Sequence, residues 1–226
     1  MDHPHSMDAT KQRLLQAALN HVTFDGWSDA TLTAAIADTG TAPALARALY
    51  PRGGIDLALA YHAQGDAQLL EAIGKIDLTT LRYRDRIAAA VKLRLQNADR
   101  ELVRRAAALF ALPQHAAAGT KAIWHTADTI WTALGDTSRD LNWYTKRATL
   151  SAVYAATLLF WLGDDSPDHA ATWDFLDRRI ENVMRFELAK ARFRENPLAK
   201  ALLRGPFKVL ERVHAPQRPQ DLPGKL

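Results

Sequence analysis

Apolar residues recur at helical spacing along almost the whole chain, and no segment alternates long enough with the period of two that a strand requires. Leu14, Leu15, Ala18, Leu19 and Val22 share one face of a helix expected from about Thr10 to Phe24, which Asp25-Gly26 ends. Ser28 is a suitable N-cap for a short second helix carrying Leu32, Ala35 and Ile36, closed by Gly40. Pro43 fits the first turn of a third helix, where its missing N–H does no harm. After the turn Tyr50-Pro51-Arg52-Gly53-Gly54, a longer helix runs to about Ile73. Further helices are expected near 79–98, 99–112, 116–134, 140–162 and 168–194. Leu112-Pro113, Gly135-Asp136 and Gly163-Asp164-Asp165-Ser166-Pro167 punctuate them. Asn196-Pro197 sets off a last helix at about 198–213. The fold class is therefore all-α.

The second and third helices, joined by a Gly-containing turn, make a helix-turn-helix pattern. Its spacing resembles the N-terminal module of tetracycline-repressor-type regulators, through residues 32–40 and Leu49-Tyr50-Pro51. The expected organisation is a flexible tail (1–9), a degenerate helix-turn-helix module (10–75), a helical core (76–195), an amphipathic helix (196–214) and a disordered tail (215–226). A DNA-reading helix needs basic and amide side chains on its outer face. Here the candidate reader offers Arg47 among Ala44, Leu45, Ala46, Ala48 and Leu49. DNA binding is not expected, although the fold would permit a ligand-responsive transcriptional repressor.

Charge sharpens this reading. Residues 1–56 carry four Lys/Arg against six Asp/Glu, residues 57–184 carry fifteen of each, and residues 185–226 carry ten against four. The module that would meet a polyanion is thus acidic, and the basic character belongs to the C-terminal end. The chain has 226 residues, 48% hydrophobic and 24% charged, enough to bury a sizeable core. It has no cysteine, which excludes disulfides and thiolate chemistry. No run approaches the roughly 18 apolar residues of a membrane-spanning helix. The polar start, with Asp2 and Asp8, reads as neither a secretory signal nor a transit peptide. The default compartment is the cytoplasm.

Catalytic patterns do not stand out. None of the eight histidines sits three or four residues from another within a helix, and the two Glu-x-x-His pairs of a di-iron bundle are not present. Arg52-Gly53-Gly54 lacks the Lys-Ser/Thr ending of a phosphate loop. No nucleophile elbow is present. The expectation is a protein that is not an enzyme and needs no cofactor or metal.

The segment Asp140-Leu-Asn-Trp-Tyr-Thr-Lys-Arg147, the turn Asp165-Ser166-Pro167-Asp168 and the helix Thr172-Trp173-Asp174-Phe175-Leu176 together closely resemble a lipid-binding accessory family of ubiquinone (coenzyme Q) biosynthesis. A looser likeness extends over about 11–214. The resemblance implies a tetracycline-repressor-like fold, a homodimer and no catalysis of its own. It implies isoprenoid, quinone or phospholipid binding in the helical core, and a di-iron demethoxyubiquinone hydroxylase as partner. It also implies a peripheral place on a membrane: the cytoplasmic face of the inner membrane for a bacterial form, or the mitochondrial matrix face for a processed eukaryotic chain.

Asp140, Asn142, Trp143, Tyr144 and Arg147 are the candidate partner-binding residues, because Trp, Tyr and Arg dominate binding hot spots and the family meets its hydroxylase here. Core packing is the other reading of Trp143. Candidate lipid-binding residues are the apolar positions Leu95, Leu102, Ile123, Ile130, Trp131, Leu150, Tyr154 and Leu158. In the last helix, Lys200, Arg204, Lys208 and Arg212 form a basic row, with Leu202, Leu203, Phe207, Leu210 and Val213 on its other sides. Such a helix suits an anionic membrane surface, at about 1 kcal/mol per basic residue.

Overall fold

The structure is a computed structural model that describes residues 4–78 and 80–195. The expected basic helix at 196–214, with Lys200, Leu202, Leu203, Arg204, Phe207, Lys208 and Leu210, lies outside the described residues, as does the tail at 215–226. Among the described residues every regular element is helical. They are α1 (Pro4–Asp25), α2 (Asp29–Thr39), α3 (Pro43–Leu49), α4 (Gly54–Gly74), α5 (Tyr83–Gln96), α6 (Arg100–Phe110), α7 (Ala116–Ala133), α8 (Leu141–Leu162), a 3₁₀ turn (Pro167–His169) and α9 (Ala170–Glu195). No helix among them is long and apolar enough to cross a membrane.

The helix ends have local causes. Ser28 caps α2, its Oγ accepting from the Thr31 N–H at 3.3 Å, and Gly40 ends that helix with φ at 60°. Asp99 caps α6 through the N–H groups of Glu101 and Leu102. Asp140 caps α8 by accepting from the Asn142 N–H at 3.0 Å. Two boundaries differ from expectation. Helix α1 starts at Pro4 rather than near Thr10; Pro is favoured at a first helical position, and polar residues extend a helix whose apolar face lies further on. Helix α9 starts at Ala170 rather than near 168, because Asp168 and His169 of the 3₁₀ turn have φ of 52° and 55°. Asp164 fixes this corner by accepting from the Thr172 hydroxyl and backbone N–H (2.9 Å) and from the Ser166 N–H (2.9 Å).

Two hydrophobic cores result. The first packs Leu14, Leu15, Ala18 and Val22 of α1 against Leu32, Ala35, Tyr50, Leu57 and Leu102. Trp27 links it to α6 through a 3.1 Å bond from its indole Nε1 to the Leu102 carbonyl. Gly54 is essential to this junction: a Cβ there would lie 2.3 Å from the Trp27 and Ser28 backbone. The second core gathers Leu69, Val91, Leu95, Ile130, Trp131, Leu150, Tyr154 and Leu176 from α4, α5, α7, α8 and α9. Helix α4 thus serves both cores, with Leu57 in one and Leu69 in the other.

Candidate functional site

The second core is not filled throughout. A cavity of about 270 Å³ lies between α4, α5, α6, α7 and α8. Its walls are mostly apolar: Leu95, Ala98, Val103, Ala106, Phe110, Ile123, Ala155 and Leu158 are among them. Leu159, at its edge, is 65% exposed, an uncommon position for a leucine. Gly119 lets α7 approach α6 here, since a Cβ would sit 2.6 Å from the Phe110 Cβ.

One wall is polar. His62, Arg94, Tyr61 and Tyr154 line it. Behind them, Arg94 Nε donates to Asp66 Oδ1 at 2.8 Å and Arg94 Nη2 donates to the His62 carbonyl at 2.9 Å. The Thr126 hydroxyl also donates to Asp66 Oδ1, at 2.8 Å. Asp66, Arg94 and Thr126 are all buried, and Asp66 Oδ2 has no hydrogen-bond partner among the described residues. Gly65 makes room for the guanidinium, because a Cβ there would lie 2.6 Å from it. Burial opposes the Arg94 charge, but Tyr154 and Asp66 outweigh it and raise its pKa, so the guanidinium stays charged. Burial also pushes the His62 imidazole down to about 4, with Asp66 opposing and Arg94 assisting; it is neutral at pH 7.

A second cavity, of about 260 Å³, lies between α5, α7, α8 and α9. Tyr83, Ile87, Trp131, Leu150, Val153 and Ile180 form its apolar wall, and Asn142, Thr145 and Lys146 its polar edge. Lys146 is held by Asp136 at 2.6 Å.

An aromatic cluster faces outward at the start of α8. The Trp143 ring lies 4.8 Å from Tyr144 and 6.1 Å from Trp124, centroid to centroid, and all three are half-buried. The Arg147 guanidinium stacks 4.0 Å from the Trp143 ring centre. Arg147 itself is 1% exposed and pairs with Asp128 (2.6 Å) and Asp136 (3.0 Å).

Comparison with known proteins decides the family. Residues 116–187 match the COQ9 family model. The "Ubiquinone biosynthesis protein COQ9, mitochondrial" of Drosophila melanogaster is 31% identical over 80% of this chain and 57% of its own. That of Xenopus tropicalis is 34% identical over 79% of this chain and 59% of its own. The chain belongs to the COQ9 family. It spans less than two thirds of the length of these COQ9 relatives. Among solved structures, a TetR transcriptional regulator from Nitrosomonas europaea superposes with a TM-score of 0.62 at 19% identity, covering 77% of this chain and 97% of that one. At that identity the likeness shows the fold, and the tetracycline-repressor-like architecture is the one expected.

Within this COQ9-family fold the candidate residues separate. Leu95, Ile123, Tyr154 and Leu158 line the first cavity, while Trp131 and Leu150 line the second. Leu102 and Ile130 line neither: Leu102 packs in the N-terminal core and Ile130 is fully buried. An apolar stripe does not reveal which of its members abut a void. The five expected partner residues are also not one patch. Trp143 and Tyr144 are at the surface, Asp140 is a helix cap, Asn142 edges the second cavity, and Arg147 is an interior ion-pair hub. The sequence reading missed His62, Asp66 and Arg94 altogether. Their signal is spacing: Ala58, His62, Asp66, Leu69 and Ile73 recur on one face of α4, so two polar residues stand where core is due.

Proposed function

We propose that this chain is a non-enzymatic accessory protein of ubiquinone biosynthesis, the process for which its COQ9 relatives are named, and that it holds an isoprenoid or quinone lipid in the cavity between α4 and α8. The observation that carries this is a largely apolar cavity of about 270 Å³ whose lining includes a few polar residues, His62 and Arg94 among them, the layout of a site for an apolar ligand with a polar head. The volume sits just below the roughly 300–1,000 Å³ of typical ligand sites. It therefore suits a head and the first part of a tail, with the remainder leaving past Leu159. In the same proposal the aromatic cluster of Trp143, Tyr144 and Trp124 meets the di-iron demethoxyubiquinone hydroxylase, and the basic row at Lys200, Arg204 and Lys208 meets an anionic membrane. A second copy of the chain completes a homodimer.

The repressor alternative finds little support at α3, whose exposed side chains are Pro43, Ala44, Leu45, Arg47 and Ala48. The deciding experiment is organic extraction of protein purified without detergent, followed by mass spectrometry. Stoichiometric isoprenoid lipid is the expected result. An empty extract, together with no uptake of added lipid, would sink the proposal.

A further inference from the structure

The polar wall of the first cavity has a hydrogen-bonding sense that can be worked out. Thr126 has one hydroxyl proton, and it goes to Asp66 Oδ1 at 2.8 Å rather than to the Ala122 carbonyl at 3.4 Å, because a carboxylate is the stronger acceptor. His62 Nε2 lies 2.8 Å from the Thr126 oxygen and 3.1 Å from the Ala122 carbonyl, neither of which then has a proton to offer it. The imidazole therefore carries its proton on Nε2. Its neutral state makes Nδ1 a bare acceptor. The hydrogen bonds that His62 makes within the described residues use Nε2 and leave Nδ1 for a ligand, on a side chain that lines the cavity and keeps 17% of its surface.

The charge sense follows as well. Arg94 is the cation of this wall, and Asp66 already neutralises it at 2.8 Å. An anionic head placed here would be buried beside a cation already paired with Asp66, without a counter-charge of its own. Arg94 can still donate from Nη1, which no hydrogen bond within the described residues uses.

Building on the lipid-holding reading above, we infer that the first cavity selects an uncharged apolar ligand whose head donates a hydroxyl to His62 Nδ1 and accepts from Arg94. That class comprises phenols and hydroquinones. It excludes fully oxidised or O-methylated heads as full partners, and it excludes phosphate heads. A ligand without the hydroxyl leaves the His62 acceptor unmet, and one with a phosphate adds an uncompensated charge.

The test is a ligand series on the full chain. 4-Dodecylphenol, 4-dodecylanisole and dodecyl phosphate share a tail and differ at the head. Equilibrium binding by calorimetry should rank the phenol about tenfold tighter than the anisole, as one hydrogen bond to an otherwise unmet acceptor implies, with the phosphate weakest. In His62→Phe the phenol should fall to the level of the anisole, while anisole binding stays within about twofold. The wild-type ranking does not depend on how that variant folds. Equal binding of phenol and anisole, or preference for the phosphate, would overturn the inference and leave the lipid-holding reading standing. Failure of all three to bind would overturn both.

Discussion

Arg147 shows how a side chain chosen for its chemistry can belong to the interior. Trp, Tyr and Arg together suggest a contact surface, yet this guanidinium is buried between Asp128 and Asp136 with Trp143 stacked on it. Burial alone would push the Asp136 carboxyl up, but hydrogen bonds from Lys146, Ser138 and Arg147 outweigh it and bring it down to about 2. Removing one partner of such a network strands buried charge at about 3–5 kcal/mol. Arg147→Ala should therefore lower the thermal midpoint by about 10 °C, at roughly 2–4 °C per kcal/mol for a chain of this size. An unchanged melting curve by circular dichroism would return Arg147 to the surface. Acid should act on two residues in separate windows. The His62 pKa falls from 6.5 to about 4 on folding, so the unfolded chain binds the proton more readily. Stability present above 6.5 is lost as pH falls towards 4, by roughly 3 kcal/mol at most. Asp136 falls from 3.8 to about 2, so its contribution is present above 3.8 and is lost as pH falls through 2. Urea midpoints of wild type should decline between pH 6.5 and 4, and those of His62→Phe should stay level there. A level wild type would mean that the imidazole is not held neutral.

At the scale of elements, the chain announces its helices because each must bury one stripe. Leu14, Leu15, Ala18 and Val22 mark α1 by spacing alone, and all four are buried. What spacing does not encode is where a helix begins beyond its buried stripe, hence the early start of α1 at Pro4. It also does not encode a left-handed pair such as Asp168 and His169, whose conformation depends on Asp164 gripping Thr172 from eight residues away. Nor does it say which core an apolar residue joins: Leu102 looks like its neighbours in the C-terminal half and yet packs with Trp27. The α4 polar pair was readable in principle, since His62 and Asp66 interrupt an apolar face, but only the fold shows Arg94 arriving to balance Asp66. The entry to α4 is the most demanding joint. Gly54→Ala would drive a Cβ into the Trp27–Ser28 backbone, which cannot yield as a side chain can. The expected cost is about 3 kcal/mol. Limited proteolysis should then cut between residues 25 and 55, and a protease-resistant variant with wild-type melting would contradict the close contact.

The whole molecule places two voids on opposite sides of α8, and their construction differs. The first lies where α4, shared by both cores, meets the α6–α7 pair, so its walls are tied to the N-terminal module through Trp27 and Leu102. The second opens between α5 and α9, and its cation is already engaged by Asp136 and lies 5.3 Å from the Trp131 ring centre. The first sets the His62 acceptor and the Arg94 donor beside an apolar space. Small residues make that space, Ala155 on α8 among them. Ala155→Trp would fill it from a half-exposed position, where the helix can carry a larger side chain without displacing backbone. Thr149→Trp would fill the second cavity in the same way. If the first cavity is the ligand site, Ala155→Trp should cut extracted lipid at least fivefold while melting within a few degrees of wild type, and Thr149→Trp should keep its lipid. The reverse pattern would move the ligand to the α5–α9 side, away from His62 and Arg94. Equal retention by both variants would mean that neither void holds it.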